Sequence, residues 1–242
     1  MTLAIMQPYF LPYIGYLQLM NAVDRFVFYD DVAFINRGWV NRNRILVGGK
    51  EHLFTVPLKE ASQNKTIREI ALSDDPKWRG KLLKTIEQSY RKAPLYETVM
   101  PMTEKIVNFM ADNPSDVSVA DYIFHSFTEL TAYLAITTAL VSSSTIYENG
   151  HLKAQERILD ICRQEGADQY INPIGGQELY DRNRFAEAGI ALHFIQSKRV
   201  EYEQRIGKTG PNEFVPWLSI LDALMFNDVN QVRAMFGSFE LV

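Results

Sequence analysis

Apolar residues recur along this chain in two rhythms. Short apolar runs between turn residues mark strands, and recurrence every three or four residues marks helices. Leu3 to Met6 and Phe26 to Tyr29 are runs of the first kind. Between them lie a loop with prolines at Pro8 and Pro12 and a helix-like run opening at Gly15. Arg44 to Val47 and His52 to Val56 flank Gly48-Gly49, a hairpin signal, because two-residue turns need the left-handed conformation that glycine accepts. The rhythm then lengthens. Asp74 to Tyr90 has Pro76 in its first turn and Trp78, Leu82, Leu83, Ile86 and Tyr90 on one helical face. Tyr96 to Met110 and Val119 to Ile136 read as two more helices around the breaker Asp112-Asn113-Pro114-Ser115.

Strands and helices alternate afterwards. Thr138 to Ser142, Gln169 to Asn172 and Ile190 to Ile195 are strand candidates. Leu152 to Gln164 and Glu178 to Ala188 are helices stopped by Gly166 and Gly189, and Pro216 starts a helix through Phe226 before a last one, Val229 to Phe236. Such alternation predicts an α/β fold: a parallel, Rossmann-like sheet with right-handed crossovers, carrying a β-hairpin and an inserted helical subdomain. The expected division is residues 1–72 with 137–242 as the α/β domain and 73–136 as the insertion.

Composition narrows the class. With 242 residues, 47% hydrophobic, the chain can bury a sizeable core. A net charge of −4 with interleaved signs speaks against general nucleic-acid binding. The single Cys162 fits a reducing compartment, and no apolar run reaches the roughly 18 residues of a membrane span. A cytoplasmic protein is expected. Four scattered histidines and one cysteine predict no zinc site, and neither a G-x-S-x-G elbow nor a P-loop is present.

Chemistry concentrates where strands end. The loop Gln7 to Gly15 opens a helix with Tyr13-Ile14-Gly15-Tyr16, placed as H-x-G-H is in nucleotidyltransferases of the tRNA-synthetase-like (HUP-like) class. The imidazoles of that motif are absent, and tyrosine stays neutral near pH 7. Asp30 and Asp31 close the second strand, where a carboxylate holds ribose hydroxyls, a hydrated cation or a proton. Neighbours on a strand face opposite ways, so one of the pair, Asp30, is expected in the site. Arg37, Arg42 and Arg44 lie in an acid-free stretch with Trp39, Asn41 and Asn43, suited to phosphate and sugar contacts. Ser143 in a hydroxyl-rich turn, and Asn172, Gly175 and Gly176 in a glycine turn, follow later strands where backbone amides receive anions. Tyr180 and Asp181 sit just beyond. Asp30, Asp31 and Tyr13 are thus the catalytic candidates, and Gln7, Tyr16, Arg37, Trp39, Asn41, Arg42, Arg44, Ser143, Asn172, Gly175, Gly176 and Tyr180 the binding candidates.

Q-P-Y-F-L-P-Y-I-G-Y-L at Gln7 to Leu17, F-V-F-Y-D-D-V at Phe26 to Val32, R-G-W-V-N-R-N-R at Arg37 to Arg44, Y-I-N-P-I-G-G-Q-E-L-Y at Tyr170 to Tyr180 and F-V-P-W-L-S-I-L-D-A-L-M-F-N at Phe214 to Asn227 resemble the bacterial WbqC-like family over nearly the whole chain. The resemblance implies a role in O-antigen or surface-polysaccharide synthesis. It also implies transfer of an amino-acid or acyl group, glycyl among them, to an amino sugar on a nucleotide carrier. It supplies no catalytic residues. Two other readings stay open: an ATP-dependent nucleotidyltransferase or ligase-like enzyme, and a non-catalytic nucleotide-sugar-binding or scaffold protein. The expected partner is a nucleotide sugar or an activated acyl donor. A nucleotide or Mg²⁺ cofactor and a homo-oligomer are left open.

Overall fold

The first apolar run is β1 (Thr2–Met6), and its Leu3, Ala4 and Ile5 are buried on both sides. In the computed structural model, which describes residues 1–112, 117–205, 211 and 213–242, the chain continues through α1 (Ile14–Asn21), β2 (Arg25–Phe28) and the hairpin β3 (Arg42–Val47) and β4 (Lys50–Thr55). Three helices follow: α2 (Lys77–Tyr90), α3 (Tyr96–Asp112) and α4 (Val119–Leu134). The second half runs β5 (Ala139–Val141), α5 (Ala154–Glu165), β6 (Gln169–Pro173), α6 (Arg182–Glu187) and β7 (Ala191–Ser197), then α7 (Ile220–Phe226), α8 (Val229–Met235) and β8 (Phe239–Leu241).

Six strands form one sheet in the order β5-β2-β1-β6-β7-β8. The first five are parallel, as the alternation of strands and helices predicts, and β8 pairs antiparallel with β7 at one edge. This is a Rossmann-like α/β arrangement. Chain order reverses between β1 and β6, so the connections leaving these two strands diverge and a crevice opens at their carboxyl ends.

Alternation along the strands divides the core. Leu3, Ile5, Val27, Tyr170, Leu192 and Phe194 face one way and meet Ile158, Leu159, Ile161 and Cys162 of α5 and Phe185 of α6. Ala4, Phe26, Phe28, Ile171 and Ile195 face the other way, toward α1, α4, α7 and α8. On that side Phe127 of α4 packs 5.0 Å from Phe28 and 5.3 Å from Tyr16, centroid to centroid. Each such phenylalanine contributes about 1.5–3 kcal/mol by burial. Trp78, Ile86 and Tyr90 of α2 and Val99 and Ile106 of α3 enter the same cluster.

The hairpin turns at Gly48 and Gly49, with φ of 59° and 77°, and Val47 pairs with Lys50 across it. Two of the expected helices begin a full four residues later than the apolar pattern suggests. Asp181, whose carboxylate accepts from the Asn183 amide, starts α6 after a 3-10 stretch, Ile174–Leu179. Ser219 accepts from the Leu221 amide and starts α7, leaving Pro216 to Leu218 irregular. The breaker at 113–115 lies outside the described residues. Among the described residues no helix is long and apolar enough to cross a membrane.

Candidate functional site

The loop leaving β1 is locked before it reaches α1. The Phe10 amide donates to Val40 (3.0 Å), and Phe10 itself is buried against Tyr122, centroids 5.0 Å apart. Leu11 is held at φ 43°, a conformation uncommon for a branched side chain. Its carbonyl accepts from the Asn43 amide (2.5 Å) and the Ser219 hydroxyl (2.8 Å). The Ile220 amide donates to Pro12 (2.7 Å) and the Ser219 amide to Arg44 (2.8 Å). The loop is thus clamped between the hairpin and the start of α7, a preorganisation that leaves little backbone ordering for a ligand to impose.

Glycine at position 15 has a steric reason. A Cβ there would stand 2.4 Å from the Tyr13 ring and 2.5 Å from the Ser197 hydroxyl. Only hydrogen lets that ring lie across the first turn of α1 against the end of β7.

Over this clamped loop, at the carboxyl ends of β1, β6 and β7, opens a cavity of about 850 Å³. Gln7, Tyr9, Tyr13 and Tyr16 of the loop and α1, Trp39 and Arg44 of the hairpin strand and its approach, Gly175, Gln196, Ser197 and Trp217 line it, with apolar residues between. Tyr9 is the hub of the rings: its centroid lies 6.3 Å from Tyr13, 6.1 Å from Tyr16 and 6.1 Å from Trp39. Trp217 meets Tyr13 edge-on at 5.9 Å. Trp39 and Trp217 are 43% and 40% exposed, so two indoles face the opening instead of the core.

The electrostatics of the cavity are one-sided. Arg44 is the charged side chain among the described lining residues; its guanidinium lies 5.2 Å from the Trp39 centroid and pairs with Glu51 at 2.9 Å on its outer side. Arg42 adds a second guanidinium 5.6 Å from the same indole, while its Nε donates to the Gly38 carbonyl (2.8 Å). Burial pushes the Tyr9, Tyr13 and Tyr16 hydroxyls above the ordinary tyrosine range, so all three stay protonated. The Tyr16 hydroxyl donates to the Gln7 carbonyl (2.9 Å). No carboxylate, imidazole, thiol or amine lines the cavity among the described residues.

Asp30 and Asp31, expected in the same cleft, lie outside this lining. Asp30 is fully buried. Its carboxylate accepts from the Ser143 hydroxyl (2.8 Å), the Ser144 amide (3.0 Å) and Arg68 (3.0 Å). Asp31 accepts from Arg157 and from the Ser144 hydroxyl. Arg157 is itself buried, donates to Asn149 (2.8 Å) and lies 4.8 Å over the Tyr29 ring. The serine turn does receive an anion, as its composition predicts, but the anion is the protein's own Asp30. Among the described residues no group of three or more His, Cys, Asp and Glu could hold a metal ion.

Of the other candidates, the catalytic Tyr13 and the binding residues Gln7, Tyr16, Trp39, Arg44 and Gly175 are brought together at the cavity. Arg37 is exposed at φ 61° in the turn before Trp39 and does not line it. Asn41 donates to the Val56 carbonyl (2.7 Å), a hairpin role, and Arg42 stands behind Trp39. Asn172, buried, accepts from Tyr170 (3.2 Å). A Cβ on Gly176 would meet the Asn172 side-chain nitrogen at 2.0 Å, so Gly176 serves packing. Tyr180 packs edge-on against Tyr170 and Phe185. Tyr9, Gln196, Ser197 and Trp217 line the cavity without having stood out in the sequence. For Trp217 a signal existed: S-x-x-D at Ser219 to Asp222 is a helix-start pattern that excludes the preceding tryptophan from the helix.

The model of the WbqC-like protein family matches residues 7–234. A mycobacterial relative, "Uncharacterized protein Rv1507c" of Mycobacterium tuberculosis (strain ATCC 25618 / H37Rv), is 29% identical over 226 residues, 93% of this chain and 92% of that protein. No solved structure matches the chain.

Proposed function

The chain belongs to the WbqC-like protein family, and on that premise we propose that it is a cytoplasmic transferase acylating or aminoacylating a nucleotide-linked amino sugar for O-antigen or surface-polysaccharide synthesis. One observation carries the reading: the roughly 850 Å³ cavity at the sheet's switch point, walled by aromatic rings, with Arg44 as the charged group of its described lining. Small-molecule sites run from about 300 to 1,000 Å³ and occur at such switch points. Ring faces cover sugar and base planes, the Gln7 and Gln196 amides pair with hydroxyls, and a guanidinium takes phosphate.

No described lining group can accept a proton near neutral pH, so the donor's leaving group does. With a thioester donor, the amine nitrogen attacks the carbonyl carbon, the carbon–sulfur bond breaks, and the proton shed by nitrogen goes to the departing thiolate. The third proton of the sugar ammonium has already passed to water. Desolvation among the rings beside Arg44 disfavours the charged amine. The Tyr13 hydroxyl, kept protonated by burial, and the Gly175 amide are the donors for the developing oxyanion. Nucleotide-linked amino sugar incubated with protein and an acyl thioester should gain the acyl mass, and Arg44→Ala should slow that gain about tenfold, in line with loss of a charge-assisted contact. Binding without any gain of acyl mass would contradict the transferase, and absence of both product and binding would contradict either reading. A binding protein without catalysis is the second reading, favoured by the lack of a proton acceptor among the described lining residues; it keeps binding and forms no product.

A further inference from the structure

We propose that the Trp217 end of the cavity is a stacking site for a nucleobase, with Trp217 as its platform. The inference rests on the nucleotide-sugar reading above and says which end of the ligand goes where. Trp217 stands at φ 60°, a left-handed conformation that bulky side chains rarely adopt. The backbone just beyond it is fixed: Leu218 is buried and the Ser219 amide donates to Arg44. Strain of this kind persists where surrounding structure over-determines it, and it gathers at ligand sites. Here it turns an indole out of the core and leaves it 40% exposed at the cavity rim.

What surrounds the two exposed indoles differs. Trp39 carries two guanidiniums within 6 Å, at 5.6 and 5.2 Å. That end is positive and its ring already engages cations, an environment for phosphate oxygens. Trp217 meets Tyr13 edge-on, at 82°, which steadies the indole without stacking on its face. Gln196 and Ser197, which share the lining with it, carry donors and acceptors and no charge. An indole 40% exposed, with no ring stacked on it among the described residues and with a neutral amide and a hydroxyl in the same lining, offers what a base needs: stacking on its plane and hydrogen bonds to its edge.

Uridine and adenosine diphosphates are the probes, with pyrophosphate as the base-free control. Trp78 is buried, so quenching of tryptophan emission reports on Trp39 and Trp217. At least one nucleotide should quench the wild-type protein, and pyrophosphate should not. Trp217→Ala should weaken that nucleotide about tenfold or more by calorimetry. Trp217→Phe should keep affinity within a few-fold while losing most of the quenching. Unchanged affinity in Trp217→Ala, or undiminished quenching in Trp217→Phe, overturns the stacking site and leaves the nucleotide-sugar reading standing. If neither nucleotides nor nucleotide sugars bind the wild-type protein, both readings fall.

Discussion

The cavity and the aspartate pair lie at carboxyl ends of neighbouring strands, yet they are built on opposite principles. Around Asp30 and Asp31 every charge is answered: Arg68, Arg157, two serines and a backbone amide close on two carboxylates. The cavity holds an aromatic wall and a guanidinium, with no carboxylate among its described lining residues. A saturated cluster fixes a fold because removing one member strands another in low dielectric. An unsaturated wall invites a ligand. Two charged residues at a strand end therefore say less about function than the partners that reach them.

The largest expected effect is on the saturated side. Arg157→Ala strands Asp31 and should lower unfolding free energy by about 3–5 kcal/mol, read by urea denaturation. Trp39→Ala, on the cavity side, should change it by less than about 1 kcal/mol, because the indole is already exposed. Similar stability losses for the two would erase the contrast.

Gly15→Ala comes next and acts on the cavity wall. The added methyl must displace the Tyr13 ring or Ser197. Overpacking of this kind costs about 1–3 kcal/mol. Because the displaced ring is a wall of the site, nucleotide-sugar affinity should fall about tenfold in the folded variant, a loss of roughly 1.4 kcal/mol. Full affinity by calorimetry would show that Tyr13 does not face the ligand.

The smallest effect sharpens the contrast with a third, uncharged solution to holding an anion. Asp222 of α7 is fully buried and accepts from Tyr90 (2.7 Å), Tyr202 (2.8 Å) and Gln204 (2.8 Å), all neutral. Desolvation raises its carboxyl above the ordinary range, more than those three donors lower it. With the folded pKa above the unfolded one, the folded state keeps the proton that the unfolded state releases. Asp222 therefore makes no pH-dependent difference below the unfolded pKa, about 3.9. Above it, the contribution of Asp222 to wild-type stability falls until pH passes the folded pKa. Asp222→Asn should lack that decline, so its stability relative to wild type should improve as pH rises from 3 toward neutrality. Parallel stability–pH curves would contradict the raised pKa.

Much of this architecture is legible in the sequence, and for local reasons. Gly48-Gly49 between β-rich runs specifies a hairpin through backbone conformation alone, and the apolar runs at Leu3 to Met6 and Phe26 to Phe28 lie in the central strands β1 and β2 because both faces carry hydrophobic residues. The tyrosine loop and Gly175 stand out because they follow strand ends, and Trp39 because it lies among arginines in an acid-free stretch; all of them line the cavity. The partners of Asp30 and Asp31 are not. Ser143 and Arg157 lie more than a hundred positions away, and only the sheet order brings β5 and α5 beside β2. Trp217 was hidden by Pro216, which reads as a helix start, whereas the Ser219 cap fixes the start three residues later.

A ligand held in the aromatic cavity, and not at the aspartate pair, would answer to Trp39 and ignore Asp31. Calorimetric titration of a nucleotide-diphosphate amino sugar into wild type, Trp39→Ala and Asp31→Asn distinguishes the two locations. Saturable binding to wild type is expected, with at least a tenfold loss in Trp39→Ala, equal to about 1.4 kcal/mol, and affinity within about twofold of wild type in folded Asp31→Asn. Loss of binding in Asp31→Asn with Trp39→Ala unaffected, or no binding to wild type, would contradict a ligand site in the cavity.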